Sequence, residues 1–197
     1  IGEINDFNYL SAVLNQSNPS LIFHMAAQPL VRDSYANPIE TFNTNVMGTV
    51  NILEAARSLE NIKAVVNITS DKCYENKEWI WPYREEDVLG GRDPYSSSKA
   101  CAELVAKSYK LSFLEKENIG LASVRAGNVI GGGDWSKDRL IPDFFRSLNN
   151  GEVLNIRSPN AIRPWQHVLE PISGYIMLAE KLILHNNKYS GPWNFGP

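Results

Sequence analysis

The chain has few cysteines and no long apolar run. Cys73 and Cys101 are the only cysteines among 197 residues, and they lack CxxC spacing and companion histidines. This pattern excludes a disulfide framework and a zinc site, so we expect no metal. No apolar stretch reaches the ~20 residues that cross a bilayer, and residues 1–6 lack the basic start of a signal peptide. We therefore expect a cytoplasmic protein without membrane contact.

The chain also lacks an excess of positive charge. Its formal net charge is -3 and its hydrophobic content is 43%. A protein that neutralises a phosphate backbone needs a basic face, so nucleic acid is excluded as a partner. The length and the apolar content are sufficient for one large domain, or for one domain with a fragment of another.

A glycine-rich dinucleotide turn is missing as well. The sequence contains no GxGxxG or GxxGxxG, and Gly131 to Gly133 are followed by Asp134 and Trp135 rather than by a helix. Such a turn normally seats a pyrophosphate on a helix N-terminus. We therefore expect an internal fragment without the N-terminal glycine-rich βαβ segment, which by itself binds NAD weakly or not at all.

What the sequence does contain is an alternation of short apolar runs and longer amphipathic ones. The apolar runs predict strands over residues 21–27, 64–69 and 120–125. Helical patterns follow Asp6, begin near Pro38, and cover residues 95–117 and 141–149, with Gly151 as a terminator. Strands buried on both faces and separated by helices predict an α/β fold with a doubly wound, Rossmann-like parallel sheet.

The strongest chemical signal is the pair Tyr95 and Lys99 in the sequence YSSSK. Residues four apart share one face of a helix. A phenol has a pKa of about 10, and a neighbouring ammonium helps to lower that pKa towards neutrality. Taken alone, the pair is also compatible with two residues that share an exposed helix face by chance.

Further polar residues lie where the predicted strands end. Residues 69–74 read TSDKCY and residues 125–128 read RAGN, and Asn45 lies within an otherwise apolar helical pattern. Open α/β sheets bind ligands at the carboxyl edge. A solvated loop is the alternative for residues 69–74.

Taken together, these strings resemble the extended short-chain dehydrogenases/reductases over essentially the whole chain. The resemblance rests on HMAAQ at residues 24–28, Asn45, the cluster at residues 69–74, Tyr95 with Lys99, and residues 125–133. Residues 138–143 and 163–168 are similar to the nucleotide-sugar dehydratase branch. This resemblance implies a partial NAD-binding and catalytic domain over residues 1–135 and part of a substrate-binding region over residues 136–197.

The resemblance also implies roles for individual residues. Tyr95 would take the sugar O4 proton, Lys99 would lower the pKa of Tyr95, and Asp71 would act as the general acid that expels water. The full catalytic set is Tyr95, Lys99, Asp71, Lys72, Ser70 and Asn45. The cofactor-binding set for NAD is Ala26, Ala27, Gln28, Thr69, Tyr95, Lys99 and Arg125.

The implied substrate is a nucleotide-linked sugar, with cytidine diphosphate glucose favoured by the Asp71-Lys72 pair, and the implied role is in polysaccharide biosynthesis. Many members of the branch carry glutamate where this chain has Lys72, so Lys72 serves as the base at C5 only if it is partly neutral. The substrate-binding set is Asn128, Arg139, Leu140, Arg157, Arg163 and His167. Ordinary surface ion pairing is the alternative for Arg157.

Three hypotheses remain open from the sequence. The parent protein is an NAD-dependent lyase, or an epimerase or reductase of a similar sugar nucleotide, or this chain is a non-catalytic module. Asp71 and Lys72 favour the lyase, because an epimerase needs no acid to expel water from C6. The helices after the first two strands resemble those of the family's dimer contact, so we expect a homodimer or a larger homo-oligomer.

Overall fold

A computed structural model describes residues 2–197 and contains a four-stranded parallel sheet in the order β1-β2-β3-β6. The four strands are β1 (Leu21–His24), β2 (Ala64–Ile68), β3 (Gly120–Ala126) and β6 (Gly191–Phe195). All three neighbouring pairs run parallel, with Leu21 opposite Ala64 and Ala64 opposite Gly120. This arrangement confirms the predicted doubly wound α/β fold.

Seven α-helices and a second, smaller sheet complete the described residues 2–197. The helices are α1 (Phe7–Ser17), α2 (Val31–Ala36), α3 (Pro38–Phe42), α4 (Gly48–Ala56), α5 (Pro94–Tyr109), α6 (Leu140–Asn150) and α7 (Leu169–His185). The second sheet pairs β4 (Asn128–Ile130) with β5 (Trp165–His167) in parallel.

Local side-chain chemistry sets the ends of several helices. The Asp6 carboxylate accepts from the backbone N–H of Tyr9 at 3.0 Å and caps α1. Asn18 ends α1 in the left-handed region at φ 42°, and Gly151 ends α6 at φ 67°. Glycine suits this conformation because it has no Cβ. The predicted caps Asp6 and Gly151 are both confirmed.

Helices cover the sheet on both faces. On one face, α4 and α5 contribute Leu53 and Ala106 to a core that includes Leu121 of β3. On the other face, α7 contributes Leu178 and Leu182 to a second core. Because residues alternate between the faces along a strand, β2 and β3 are buried almost throughout. This double burial explains the continuous apolar runs in the sequence.

The first strand lies at the edge of the sheet. Phe23 is 38% exposed and Met25, just after β1, is 62% exposed. An edge strand presents unpaired backbone groups to solvent. Among the described residues, β1 pairs with β2 alone, so its other edge is open.

Several predicted boundaries differ from the structure. The first strand ends at His24 rather than at residue 27, because the chain turns away to place Gln28 near the α3 region. The helix predicted near Pro38 is interrupted by a π-helical turn, Asn43–Met47, and α5 passes into a π-helical turn, Lys110–Leu114. Periodicity alone does not reveal a π-turn, since the turn adds only one residue to the repeat.

Four elements were not predicted from the sequence: α2, β4, β5 and α7. The elements α2, β4 and β5 are too short to give a periodic signal, whereas α7 is long enough to give one. The domain boundary at residue 135 stays a prediction. Beyond this residue, β6 is a strand of the four-stranded sheet and α7 packs against that sheet. Across residues 2–197, no helix is long and apolar enough to cross a membrane, and no cluster of metal ligands is present.

The core against α7 provides a matched test of packing. Leu182 is 0% exposed and Leu184 on the same helix is 61% exposed. We expect Leu182→Ala to lower the free energy of unfolding by about 2–5 kcal/mol, because it leaves a cavity. Leu184→Ala should change it by less than about 0.5 kcal/mol. Urea unfolding of both variants measures this, and equal losses would contradict the assigned core.

Candidate active site

The candidate site lies at the carboxyl edge of the sheet, where β2 meets the start of α5. Asp71–Cys73 form a 3-10 turn directly after β2. Asp93 caps α5 by accepting from the Ser96 N–H at 2.9 Å, and Pro94 occupies the first turn. Both residues are typical of a helix start. The turn and the helix start together bring residues 70–72 next to Tyr95.

Ser70 links the turn to the helix. Its hydroxyl donates to the Asp71 carboxylate at 3.1 Å and accepts from the Lys72 N–H at 3.3 Å. The side chains of Ser70 and Tyr95 also form a hydrogen bond. The Lys72 ammonium lies 5.9 Å from the centre of the Tyr95 ring. Four of the predicted catalytic residues therefore form one cluster.

Burial shifts the two charged groups of this cluster towards their neutral forms. Burial raises the pKa of Asp71, and Lys72 and the hydrogen bond from Ser70 oppose this rise. Burial lowers the pKa of Lys72, while the charge of Asp71 acts in the opposite direction. A carboxyl that holds its proton and an amine that releases one are suited to general acid and general base roles.

The pKa of Tyr95 moves in the direction opposite to the expected one. Burial raises this pKa, and the hydrogen bond with Ser70 only partly opposes the rise. The phenol is 7% exposed. Desolvation disfavours the phenolate, so the neighbouring cation does not dominate in this structure. Tyr95 is therefore protonated at neutral pH in the structure described here.

Lys99 is buried one helical turn after Tyr95. It is 5% exposed, and its ammonium donates to the carbonyl of Ile68 at 3.3 Å. Burial lowers the pKa of Lys99 to about 8, and the charge of Glu103 opposes this fall. An ammonium has three N–H donors. Among the residues described, Ile68 is the one hydrogen-bond acceptor of Lys99, so two donors are available to a ligand.

Asn45 connects the exit of β1 to α5. Its amide exchanges hydrogen bonds with the backbone of Gln28, accepting at 2.8 Å and donating at 3.1 Å, and it also donates to the Ser98 hydroxyl at 2.8 Å. Asn45 lies within the π-helical turn, a feature that often marks functional sites. Both N–H donors of this buried amide, and one lone pair of its oxygen, are thus used by the protein itself.

The predicted cofactor residues divide into exposed and internally bonded ones. Ala26 is exposed and Ala27 is partly buried. The side-chain amide of Gln28 donates to Thr41 at 2.8 Å, and the Thr69 hydroxyl donates to Glu103. The Arg125 guanidinium forms a buried ion pair with Glu103 at 2.7 Å. The NAD-binding role of Gln28, Thr69 and Arg125 stays a prediction to which these contacts add no support.

Two of the predicted substrate-binding residues, Arg139 and Arg163, influence the pKa values of the catalytic cluster through their charges. The charges of Arg163 and Arg139 influence Lys72, and the charge of Arg163 also influences Asp71. Their guanidinium groups donate to neighbours, Arg163 to the carbonyl of Ile162 at 2.8 Å and Arg139 to Asp134 at 3.2 Å. Arg163 is exposed and the Arg139 side chain is 40% exposed, so both guanidinium groups reach solvent.

The remaining predicted substrate residues are less clearly connected to the cluster. Arg157 forms an ion pair with Asp138, and Asp138 also pairs with Arg32 at 2.8 Å. These contacts agree with the alternative role of Arg157 in ordinary surface ion pairing. Leu140 is 42% exposed at the start of α6. His167 is exposed, and Asn128 pairs with β5 through its backbone. Their roles in binding stay predictions.

Several residues that shape the site were missed in the sequence. Asp93 caps α5, and the Ser34 hydroxyl accepts from the backbone N–H of Tyr95 at 3.2 Å. Glu103 lies four residues after Lys99, a spacing that the sequence displays openly. The helix start could have been identified from the Asp-Pro pair before Tyr95. The contact with Ser34 joins distant segments and gives no local signal.

The parallel sheet and the tyrosine-lysine pair at its carboxyl edge define the class of the short-chain dehydrogenases/reductases. The family model described as GDP-mannose 4,6 dehydratase matches residues 1–189. The chain therefore belongs to the family that this model describes, the GDP-mannose 4,6 dehydratase family.

Individual proteins with a 4,6-dehydratase activity are also similar to this chain. The chain is 60% identical over 202 residues to CDP-glucose 4,6-dehydratase of Salmonella typhimurium. This match covers 100% of the present chain and 56% of the Salmonella protein. It is 25% identical to a double mutant of dTDP-glucose 4,6-dehydratase from Streptomyces venezuelae, solved with NAD bound. That structure has a TM-score of 0.84, with 99% of this chain and 56% of the other covered.

An epimerase is similar too. A UDP-N-acetylglucosamine 4-epimerase from Methanobrevibacter ruminantium, solved with UDP-N-acetylmuramic acid, shares 26% identity at a TM-score of 0.82. The match covers 99% of this chain and 59% of that one. The chain thus spans a little over half the length of these three proteins.

Buried His24 gives a prediction for the pH dependence of stability. Burial lowers its pKa from 6.5 to about 4, and its ring contacts the Thr49 hydroxyl at 3.2 Å. Between these two pH values the unfolded state binds more protons, so the folded state loses stability as the pH falls from 6.5 to about 4. The loss attributable to His24 is at most about 3 kcal/mol.

Urea unfolding between pH 4 and pH 7 measures this effect. In the His24→Gln variant the free energy of unfolding should depend less steeply on pH over this interval. The matched control is His185→Gln, because His185 is exposed. A His24→Gln variant with the unaltered pH dependence would show that the ring does not titrate in this way.

Proposed function

We propose that the protein to which this chain belongs dehydrates CDP-glucose to CDP-4-keto-6-deoxyglucose with NAD as cofactor. The observation that carries the proposal is the cluster at the sheet edge, in which Ser70 is hydrogen-bonded to Asp71 and Lys72 and the Lys72 ammonium adjoins the Tyr95 ring. The 60% identity to a CDP-glucose 4,6-dehydratase supports the same substrate. The 197 residues alone are proposed to be inactive.

The residues of the site fit the nicotinamide end of NAD. Lys99 retains two N–H donors that a ribose diol can accept. Ala26 and Ala27 leave the backbone at the exit of β1 open to a flat ring. Lys99, Ala26 and Ala27 would hold NAD, which would supply reversible hydride transfer to the site.

Tyr95 performs the first proton transfer in this proposal. As the C4 alcohol is oxidised, the Tyr95 oxygen takes the O4 proton. The Tyr95 pKa is raised by burial, so the phenolate depends on the Lys99 ammonium once substrate fills the site. Asn45 and Ser98 hold this end of α5 in place.

Lys72 and Asp71 then carry out the elimination. The new C4 ketone acidifies the C5 proton, which a neutral Lys72 amine removes as the bond from C6 to its hydroxyl breaks. The protonated Asp71 carboxyl gives its proton to that hydroxyl, and water leaves. The lowered pKa of Lys72 and the raised pKa of Asp71 are the directions that these two roles require.

We propose that Arg139 and Arg163 bind the diphosphate, because a guanidinium offers paired donors to phosphate oxygens. Both act electrostatically on Lys72, so their charges lie near the cluster. The positive charges of Arg139 and Arg163 both lower the pKa of Lys72. We also propose that the protein is cytoplasmic and that it takes part in polysaccharide biosynthesis.

An epimerase is the second candidate, because a 4-epimerase has a similar fold at a TM-score of 0.82. Both reactions begin with hydride transfer from C4 to a nicotinamide cofactor, in which a tyrosine takes the O4 proton. The partly buried Asp71-Lys72 pair favours the dehydratase, since epimerisation removes no water from C6.

We also propose that the whole protein is at least a homodimer, formed through α3 and α5. Ile39 on α3 is 77% exposed and Leu104 on α5 is 56% exposed. Apolar side chains of this size on neighbouring helices are typical of a contact surface. We expect Ile39→Asp with Leu104→Asp to produce monomers, measured by light scattering, while Leu184→Asp on the opposite face of the sheet does not. A monomeric unaltered protein at high concentration would remove the proposal.

Turnover of CDP-glucose by the full-length protein tests the proposed function. The product should be lighter than the substrate by one water, measured by mass spectrometry, and a product of unchanged mass would favour the epimerase. We expect Tyr95→Phe to lower kcat by about 10²- to 10⁴-fold with nearly unchanged substrate affinity. Tyr35→Phe is the control, because Tyr35 is 66% exposed. Unaltered turnover in Tyr95→Phe would exclude Tyr95 as the base.

A further inference from the structure

Glu103 is a buried acid that the proposed reaction does not use. It lies one helical turn after Lys99 on α5 and is 4% exposed. One carboxylate oxygen accepts from the Thr69 hydroxyl, and the other accepts from Arg125 at 2.7 Å. A buried charge is costly unless it is paired and hydrogen-bonded, so such a residue needs a reason.

Arg125 holds the Glu103 carboxylate in a buried ion pair. The Arg125 guanidinium also donates to the Tyr74 hydroxyl at 2.8 Å and to the carbonyl of Glu85 at 2.9 Å. Burial lowers the pKa of Arg125, but the bond and the charge of Glu103 outweigh burial and raise it. A guanidinium held on three sides keeps the carboxylate at one position relative to α5.

The surroundings of Lys99 contain little other negative charge. The titratable groups that act on it are Glu103 of α5 and Cys73 of the 3-10 turn, and His24 of β1 experiences the charge of Lys99 in return. The pKa of the Cys73 thiol is raised to about 12 by burial, so the thiol is neutral near pH 7. The pKa of His24 is about 4, so its ring is neutral as well. Glu103 is the carboxylate of this set, and it is the first of the groups that oppose the fall in the pKa of Lys99.

From this arrangement we infer that Glu103 is a positioning residue of the active site: held by Arg125, its carboxylate keeps the Lys99 ammonium charged and holds Thr69 at the exit of β2. The inference rests on the proposed function, because a charged Lys99 matters to catalysis only if Tyr95 is the base. Burial lowers the pKa of Lys99 to about 8, and Glu103 opposes that fall.

Thr69 extends the same influence to the catalytic turn. It directly precedes Ser70, and its backbone N–H donates to the carbonyl of Val124 at 2.9 Å. Its hydroxyl contacts both Glu103 and the same carbonyl. One carboxylate thus connects α5, the end of β2 and β3.

Glu103→Gln in the full-length protein tests the inference. The amide keeps an acceptor for Thr69 but removes the charge, so the pKa of Lys99 should fall. Lys99 must be protonated to act, so the alkaline limb of the kcat profile should move to lower pH by about one unit. Glu103→Asp keeps the charge and should restore the original limb. An unmoved limb in Glu103→Gln would overturn the inference.

A second variant separates this role from stability. Glu103→Gln leaves Arg125 buried without its partner, and a variant of this kind can lose its fold. Glu103→Gln with Arg125→Gln removes both charges, so we expect a thermal midpoint closer to that of the unaltered protein. The alkaline limb should stay shifted in the double variant. Recovery of the original limb together with stability would show that Glu103 is only structural.

The titration of Lys99 provides a readout that does not depend on turnover. In the cofactor-free protein, NMR of lysine labelled with 13C at Cε follows the ionisation of each ammonium. The Lys99 signal should titrate at lower pH in Glu103→Gln, while that of exposed Lys107 on the same helix should not change. A shift without any dehydratase activity in the unaltered protein would refute the proposed function alone. An unchanged Lys99 titration would refute the role of Glu103.

Discussion

The polar face that α5 buries is the constraint on which the site depends. Ser98, Lys99 and Glu103 are each at most 5% exposed, although all three carry polar or charged groups. A buried polar group must be hydrogen-bonded, or it costs the full free energy of its desolvation. Asn45 donates to Ser98, the end of β2 accepts one hydrogen bond from Lys99, and Arg125 pairs with Glu103. Because these partners come from three different segments, α5 has one docking position on the sheet.

That docking also determines the electrostatics of the catalytic cluster. Tyr95 lies at the start of the helix, so its position relative to Ser70 follows from where the rest of α5 is held. Burial then shifts Asp71, Lys72 and Lys99 towards their neutral forms. In water none of these groups would exchange protons readily at neutral pH, whereas a desolvated cluster brings their pKa values closer to neutrality.

The membership in the dehydratase family and the similarity to a 4-epimerase are consistent with this view. A dehydratase and an epimerase are both similar to this chain in fold, so the fold alone does not distinguish the reactions. Two neighbouring side chains, Asp71 and Lys72, therefore carry most of the argument for water elimination.

The sequence by itself determined the parallel sheet, because strands buried on both faces must be continuously apolar and must alternate with helices. It also determined which polar residues lie at the carboxyl edge, since Asp71 and Tyr95 follow from strand ends and helix spacing. Only the tertiary structure decided the direction of the Tyr95 pKa, the π-helical turn that places Asn45, and the pairing of Arg125 with Glu103. These depend on desolvation and on contacts between segments far apart in the chain, which no local pattern records.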